Sequence, residues 1–209
     1  MNQLTVSNIV RNAIQIGIQN IASILGAAIL WLLTIWIPYI NVGTTIAMVS
    51  LVVAMGKGGA FSPLEIFESR YRKNMGEFFI LISLIWLGVI AGYVFMIIPG
   101  IVIAIAWSQA IYLLVDKGAN PMQAISLSNK LTYGKKWTIF LANLVILVFG
   151  FLGILIITWL IGAISETLAG FIGFLGYIVL MTFTLSAAAF IYGVYSNLID
   201  EARAKKASA

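Results

Sequence analysis

Seven carboxylates carry all the acid–base chemistry that this 209-residue sequence offers. Histidine and cysteine are absent. That excludes thiolate nucleophiles, Ser-His and Cys-His triads, disulfides, and zinc sites with Cys or His ligands. Glu65, Glu68, Glu77, Asp116, Asp200 and Glu201 are interleaved with Lys or Arg. Solvated charge is the plainer reading for all six. Glu166, in "IGAISETLAG", stands apart from any basic residue. It falls near the end of an apolar run and reads as an exposed loop residue rather than a coupling site. No catalytic residue, cofactor or metal is expected, and the chain is read as not an enzyme.

Uncharged polar residues inside apolar runs are the next resource. Ser108, Gln109 and Asn143 stand out, with Thr34, Ser50, Ser83, Thr158, Thr182, Thr184 and Ser186 beside them. Interhelical hydrogen bonding accounts for such residues at around 0.6 kcal/mol each. The sharper expectation is a polar path through Ser108, Gln109 and Asn143.

These residues must be positioned by membrane helices. The chain is 62% hydrophobic and only 9% charged, whereas soluble domains carry about 25% charged residues. From Phe78 to Val115 there are 38 residues without a charge. A span needs roughly 20, so this run holds two helices. Pro99-Gly100 is the expected corner between them, because proline lacks an N–H and glycine tolerates a turn. A single helix kinked at Pro99 is the alternative. Asn12 to Gly56 is likewise free of charge and breaks at "PYINVG". That predicts spans near 21–38 and 43–56, the second short enough to be tilted or partly inserted. Spans near 137–162 and 169–197 complete six, as three hairpins in one all-α membrane domain, 1–209. Its approximate units are 1–56, 62–116 and 120–199, with a polar basic tail at 200–209. The N-terminus does not read as a cleaved signal peptide.

All twelve Lys and Arg residues precede span one, follow span six, or lie between spans two and three and spans four and five. Six spans place all of these on one side. The positive-inside rule then puts both termini in the cytoplasm, with a multi-pass location in the bacterial inner membrane. The net charge of +5 is read in this way, and nucleic acid is not an expected partner.

The basic segments have helical patterns. "SPLEIFESRYRKNMG" offers Ser62 as N-cap, Pro63 at the first helical position, and a stripe of Leu64, Phe67, Tyr71 and Met75. "NPMQAISLSNKLTYG" offers Asn120, Pro121 and a stripe of Ala124, Leu127 and Leu131. In both, thirteen positions separate the proline from a glycine, Gly76 or Gly134. The N-terminal residues 6–19 show a looser polar stripe. Three amphipathic helices at the cytoplasmic interface are therefore expected. Arg70, Arg72, Lys73, Lys130, Lys135 and Lys136 would meet anionic lipid headgroups at about 1 kcal/mol each. Anchoring alone is the plainer use. Gly88, Gly92, Gly170, Gly173 and Gly176 predict close helix packing within the chain.

The stretch Ile97 to Phe140 carries a likeness. Its Ile98-Pro99-Gly100, Tyr112, Asp116, Ala124-Ile125, Ser128, Gly134-Lys135 and Trp137 resemble the pattern of a group of bacterial membrane families. These are uncharacterised families related to the membrane domain of glycerophosphodiester phosphodiesterase. Lys57-Gly58-Gly59 departs from the Arg-Gly-Glu common there. The resemblance covers about residues 40–145. It implies a six-helix inner-membrane protein and no established activity, since the soluble phosphodiesterase domain of some members is absent. Two functions are expected from these residues together. The first is a non-enzymatic scaffold or accessory subunit binding a partner protein, a second copy, or membrane lipid. The second is a transporter or channel for a small apolar or amphipathic solute.

Overall fold

A computed structural model describes residues 4–207. They form helices α1 (Val6–Thr34), α2 (Pro38–Gly56), α3 (Met75–Phe95), α4 (Ile97–Trp107), α5 (Ala110–Lys117), α6 (Pro121–Thr132), α7 (Lys136–Gly162) and α8 (Glu166–Ala207). No strand occurs among the described residues. Six segments are long and apolar enough to cross a membrane: α1, α2, α3, α4 with α5, α7 and α8. The protein is an all-α polytopic membrane protein, and its spans pair as three hairpins. Residues 1–3 of the first unit and 208–209 of the basic tail lie outside the described residues.

Several boundaries differ from the sequence reading, each for a local reason. The reversal between α3 and α4 sits at Met96, whose backbone is extended (φ −167°, ψ 157°). Pro99 and Gly100 lie in the first turn of α4. There a missing N–H costs nothing, because the first four N–H groups of a helix have no acceptor within it. The hairpin is present, but the proline starts a helix instead of ending one. Pro38 acts likewise and opens α2. The second helix therefore has 19 residues and a length of about 28 Å, enough to span.

The N-terminal polar stripe is not a separate helix either. It continues into the first span as one 29-residue helix. Asn12 Nδ2 donates to the Asn8 carbonyl at 2.7 Å, and Asn20 Nδ2 to the Ile16 carbonyl at 2.9 Å. Asn12 of the stripe and Asn20 just beyond it are thus satisfied on their own helix. At the far end Trp31 Nε1 donates to Thr45 Oγ1 at 2.9 Å, and Thr34 and Thr44 share a hydroxyl hydrogen bond at 3.0 Å. These bonds tie the first hairpin across its turn.

The two basic segments fold differently despite their shared spacing. Residues 121–132 form α6, and Asn120 Oδ1 accepts from the Gln123 N–H at 2.9 Å. Its buried face is Ala124, Ser128 and Thr132, with Leu127 and Leu131 partly buried beside them. The face packs against α4 and α5, so α6 belongs to the bundle. Residues 63–72 instead make two 3₁₀ turns, Pro63–Phe67 and Ser69–Arg72, with Glu68 extended between them. The Ser62 N–H donates to Glu65 Oε1 at 2.8 Å, and Arg70 reaches back to Glu65 and Glu68. That clamp tightens the segment into turns. Ile66 and Tyr71 are buried while Leu64 and Phe67 are exposed, so of the expected stripe only Tyr71 and Met75 pack on the core. Gly76 lies inside α3, whereas Gly134 takes a left-handed conformation (φ +76°) before α7.

Helix α8 is the hub, packing on α1, α2 and α7. Ala187, Ala189, Tyr192 and Tyr195 on it are almost wholly buried. Its crossing with α2 brings Gly193 against Gly56 backbone to backbone: a Cβ on Gly193 would overlap the Gly56 carbonyl oxygen, and one on Gly56 the Ala189 carbonyl oxygen. Gly88 accommodates the Trp107 ring, Gly92 faces Gly100, and Gly176 faces Ile154. Those glycines serve packing within the chain. Trp86 on α3 is exposed, and so are Trp36, Trp137 and Trp159 near helix ends.

Candidate functional site

The fourth span is broken. α4 ends at Trp107 and α5 begins at Ala110, so Ser108 and Gln109 form a turn within it. A break frees backbone groups that cost about 1–3 kcal/mol each if left unpaired. α6 supplies their partners. Ser128 Oγ accepts from the Gln109 N–H at 3.1 Å and donates to the Ala106 carbonyl at 2.6 Å. Thr132 Oγ1 bonds the Ser128 carbonyl of its own helix at 2.9 Å. Gln109 is 2% exposed. Its Nε2 donates to Ser108 Oγ at 3.1 Å, and its Oε1 has no partner. Asn143 Nδ2 donates to the Ile139 carbonyl of its own helix at 3.1 Å. Ser108 and Gln109 thus come together with α6, Asn143 stays on α7, and none of the three lines the cavities described below.

α5 runs from the break to the charged residues Asp116 and Lys117. There Gly118, with φ +61°, closes the helix and places Asp116 and Lys117 beside α2 and α8. Asp116 accepts from three groups. Lys57, at the end of α2, pairs with Oδ1; the Tyr192 hydroxyl of α8 donates to Oδ2 at 2.6 Å; Lys117 Nζ lies 3.4 Å from Oδ2. Lys117 also pairs with Asp200 at 2.7 Å. The Lys117 and Asp116 side chains are only 8% and 11% exposed. The Tyr112 ring lies 5.4 Å from that of Tyr192 below them. One network therefore ties the second, fourth and sixth spans together.

Beside this network lies a chamber of about 430 Å³ between α2, the 63–72 turns and α5. Lys57, Arg70, Glu65 and Asp116 line it together with Ile46, Val53, Phe61 and Leu114. Arg70 Nε pairs with Glu68 at 2.7 Å and Nη2 with Glu65 at 3.1 Å, and Nη2 donates to the Tyr71 hydroxyl at 2.9 Å. Burial pushes the Tyr71 phenol above its ordinary range, so at neutral pH it is an uncharged hydroxyl. Two further clefts are almost wholly apolar. One of about 440 Å³ lies between α4 and α7, with Lys136 and Trp137 on its rim. The other, about 470 Å³, lies between α1, α7 and α8.

The remaining basic residues divide. Arg72 donates to the Phe67 carbonyl at 3.2 Å, Lys135 to the Leu4 carbonyl at 3.4 Å, and Lys136 to Asn129 Oδ1 at 3.0 Å. Lys73 and Lys130 are exposed. Glu166 is the first residue of α8, exposed at its N-terminus, where a carboxylate favours the helix dipole. Among the described residues no three carboxylates gather as a metal-binding group. Asp116 and Asp200, which read as solvated charge in the sequence, instead build a network with Lys57, Lys117 and Tyr192. Compared with known proteins, the chain matches no family model, no curated protein and no solved structure.

Proposed function

We propose that this chain is a non-enzymatic protein of the bacterial inner membrane, a scaffold or accessory subunit that binds a partner protein or lipid at its charged end. One observation supports the reading most. Asp116 is held by Lys57, Lys117 and Tyr192 from three helices, and Arg70 by Glu65 and Glu68. A carboxylate held by several donors is poorly placed to take or give a proton during turnover. It is well placed to hold a rigid surface on which exposed Lys73 and Lys130 meet a partner or an anionic leaflet. The segregation of Lys and Arg supports a cytoplasmic position for that surface and for both termini. The likeness of Ile97–Phe140 to bacterial membrane families accords with this reading.

The two apolar clefts favour a second reading, a transporter for a small apolar or amphipathic solute. Purification from native membranes in mild detergent, with mass spectrometry of bound proteins and lipids, separates the two. The expected result is a stoichiometric protein partner or one enriched lipid. Recovery of the chain alone with bulk lipid, together with solute flux in liposomes containing only this protein, would replace the first reading by the second.

A further inference from the structure

We propose that the cleft between α1, α7 and α8 holds one acyl chain of an anionic glycerophospholipid, with its phosphate at Arg11. The inference rests on the lipid-binding form of the reading above and gives it a site and a ligand class. It assigns to lipid a cleft that the transport reading would give to a solute.

The shape of the cleft is the first argument. Its volume is about 470 Å³, and every residue that lines it is apolar. On α7 the lining runs from Val145 to Ile157, about 18 Å at 1.5 Å per residue. Spread over that length, the volume has a section of about 26 Å², roughly 5 Å across. A partner helix, about 10–12 Å wide with its side chains, does not fit such a slot, whereas a single chain does. The hydrocarbon of one leaflet is half of a core of about 30 Å, so the length suits one chain as well. Ala13 and Ile146 are buried while Ile14 and Phe149 are exposed, so the cleft opens between the exposed edges of α1 and α7. Gly150, Gly153 and Gly176 line it, and nothing lies within 4 Å of a Cβ added at Gly153.

The charge at one end is the second argument. The Leu4 carbonyl accepts from Lys135, so α1 and α7 start together at the charged end. On α1 only Val10, Ala13 and Ile14 line the cleft, so its mouth lies near the start of that helix. Arg11 follows Val10 and is the surface neighbour of Ile14, one turn on. It is exposed, and no carboxylate pairs with it among the described residues. Lys135 and Lys136 stand further out at the same end. Neither α1 nor α7 contains a carboxylate. On α8, Asp200 lies 17 positions beyond Phe183, about 25 Å away, and Glu166 lies past the far end of the cleft. On the three helices that bound it, the mouth therefore meets cations and no carboxylate. The stem of Arg11 can lie on apolar surface with its guanidinium at the interface, where it forks onto a phosphate. A zwitterionic head would bring an ammonium that finds no carboxylate on these helices, and an anionic head brings none.

The test uses the full chain, delipidated in detergent and titrated with phosphatidylglycerol, phosphatidylethanolamine and phosphatidylcholine of identical chains. Native mass spectrometry reads the bound fraction. Phosphatidylglycerol is expected to bind about fivefold more tightly than either other lipid, the factor that one basic residue supplies beside an anionic head. Arg11→Gln is expected to remove that preference while all three lipids still bind, and Arg11→Lys to keep it. Gly153→Leu places a side chain in the cleft where a Cβ has room, and leucine is the better helix former. It is expected to weaken binding of all three lipids at least about tenfold, the loss of fewer than two buried methylenes, without lowering the melting temperature. Equal binding of the three lipids, an unchanged preference in a folded R11Q chain, or unchanged binding by a folded G153L chain would overturn the proposal. A dimer that G153L dissociates would assign the cleft to a second copy and overturn it as well. Failure of these lipid effects with a stoichiometric protein partner still recovered from native membranes would overturn this inference alone and leave the scaffold reading intact.

Discussion

Gly193→Ala is expected to destabilise the fold although alanine is the better helix former. In an open helix position the change would gain up to about 1 kcal/mol. At this crossing the new Cβ would overlap the Gly56 carbonyl oxygen, a backbone atom of α2. No rotamer change relieves that contact, so α2 and α8 must separate. Overpacking typically costs about 1–3 kcal/mol, and a clash with backbone belongs at the upper end. The helices that separate also carry Lys57 and Tyr192, two of the three groups on Asp116, so the charged network is strained with them. Gly170→Ala is the internal control. It lies on the same helix with nothing within 4 Å of an added Cβ, and it is expected to be neutral or slightly stabilising. Thermal unfolding in detergent, followed by far-UV circular dichroism, compares the two. Equal melting temperatures would show that the crossing tolerates separation.

Asp116→Asn removes the charge at the centre of the network while keeping its shape. Tyr192 can still donate to the side-chain oxygen, but Lys57 loses its carboxylate, and Lys117, 8% exposed, keeps only Asp200. Breaking a buried pair by removing one partner costs about 3–5 kcal/mol. The exposure of Lys57 to solvent places this variant at the lower end, about 3 kcal/mol. Lys57→Gln combined with D116N is expected to cost less than the two single changes added together, because residues sharing one interaction are not additive. Denaturant unfolding of the four proteins measures the coupling. Strict additivity would mean that Lys57 and Asp116 do not act as a pair.

The parts of this fold that are local were legible in the sequence. Charge-free runs bounded by basic clusters gave six spans, and Asn120 announced the start of α6 through its own side chain. Proline was legible as a boundary but not as to which kind. Pro38 and Pro99 open helices, so the chain reverses a few residues before each of them. The sequence of 62–76 has the same cap signals as 120–134. Its Arg70 meets two carboxylates at short range, and a clamp of that kind overrides helical spacing.

The site was less legible because its partners are distant in the chain. Lys57 and Asp116 are separated by 59 positions, and Lys117 and Asp200 by 83. Each looks like ordinary solvated charge beside its neighbours in sequence. The Ser108-Gln109 pair was visible as an anomaly. Its cause, a helix break satisfied by Ser128, required knowing that α6 packs against it.

The central claim is that the charged loops form one cytoplasmic surface. The chain contains no cysteine, so a single introduced thiol reports its own side of the membrane. Lys73→Cys and Lys130→Cys sit on exposed positions of the charged end, and Ile164→Cys sits in the exposed turn between α7 and α8. In intact bacterial cells a membrane-impermeant maleimide is expected to label I164C alone. K73C and K130C should react only after the membrane is opened. Labelling of K73C or K130C in intact cells, or opposite behaviour of these two positions, would contradict a single cytoplasmic surface.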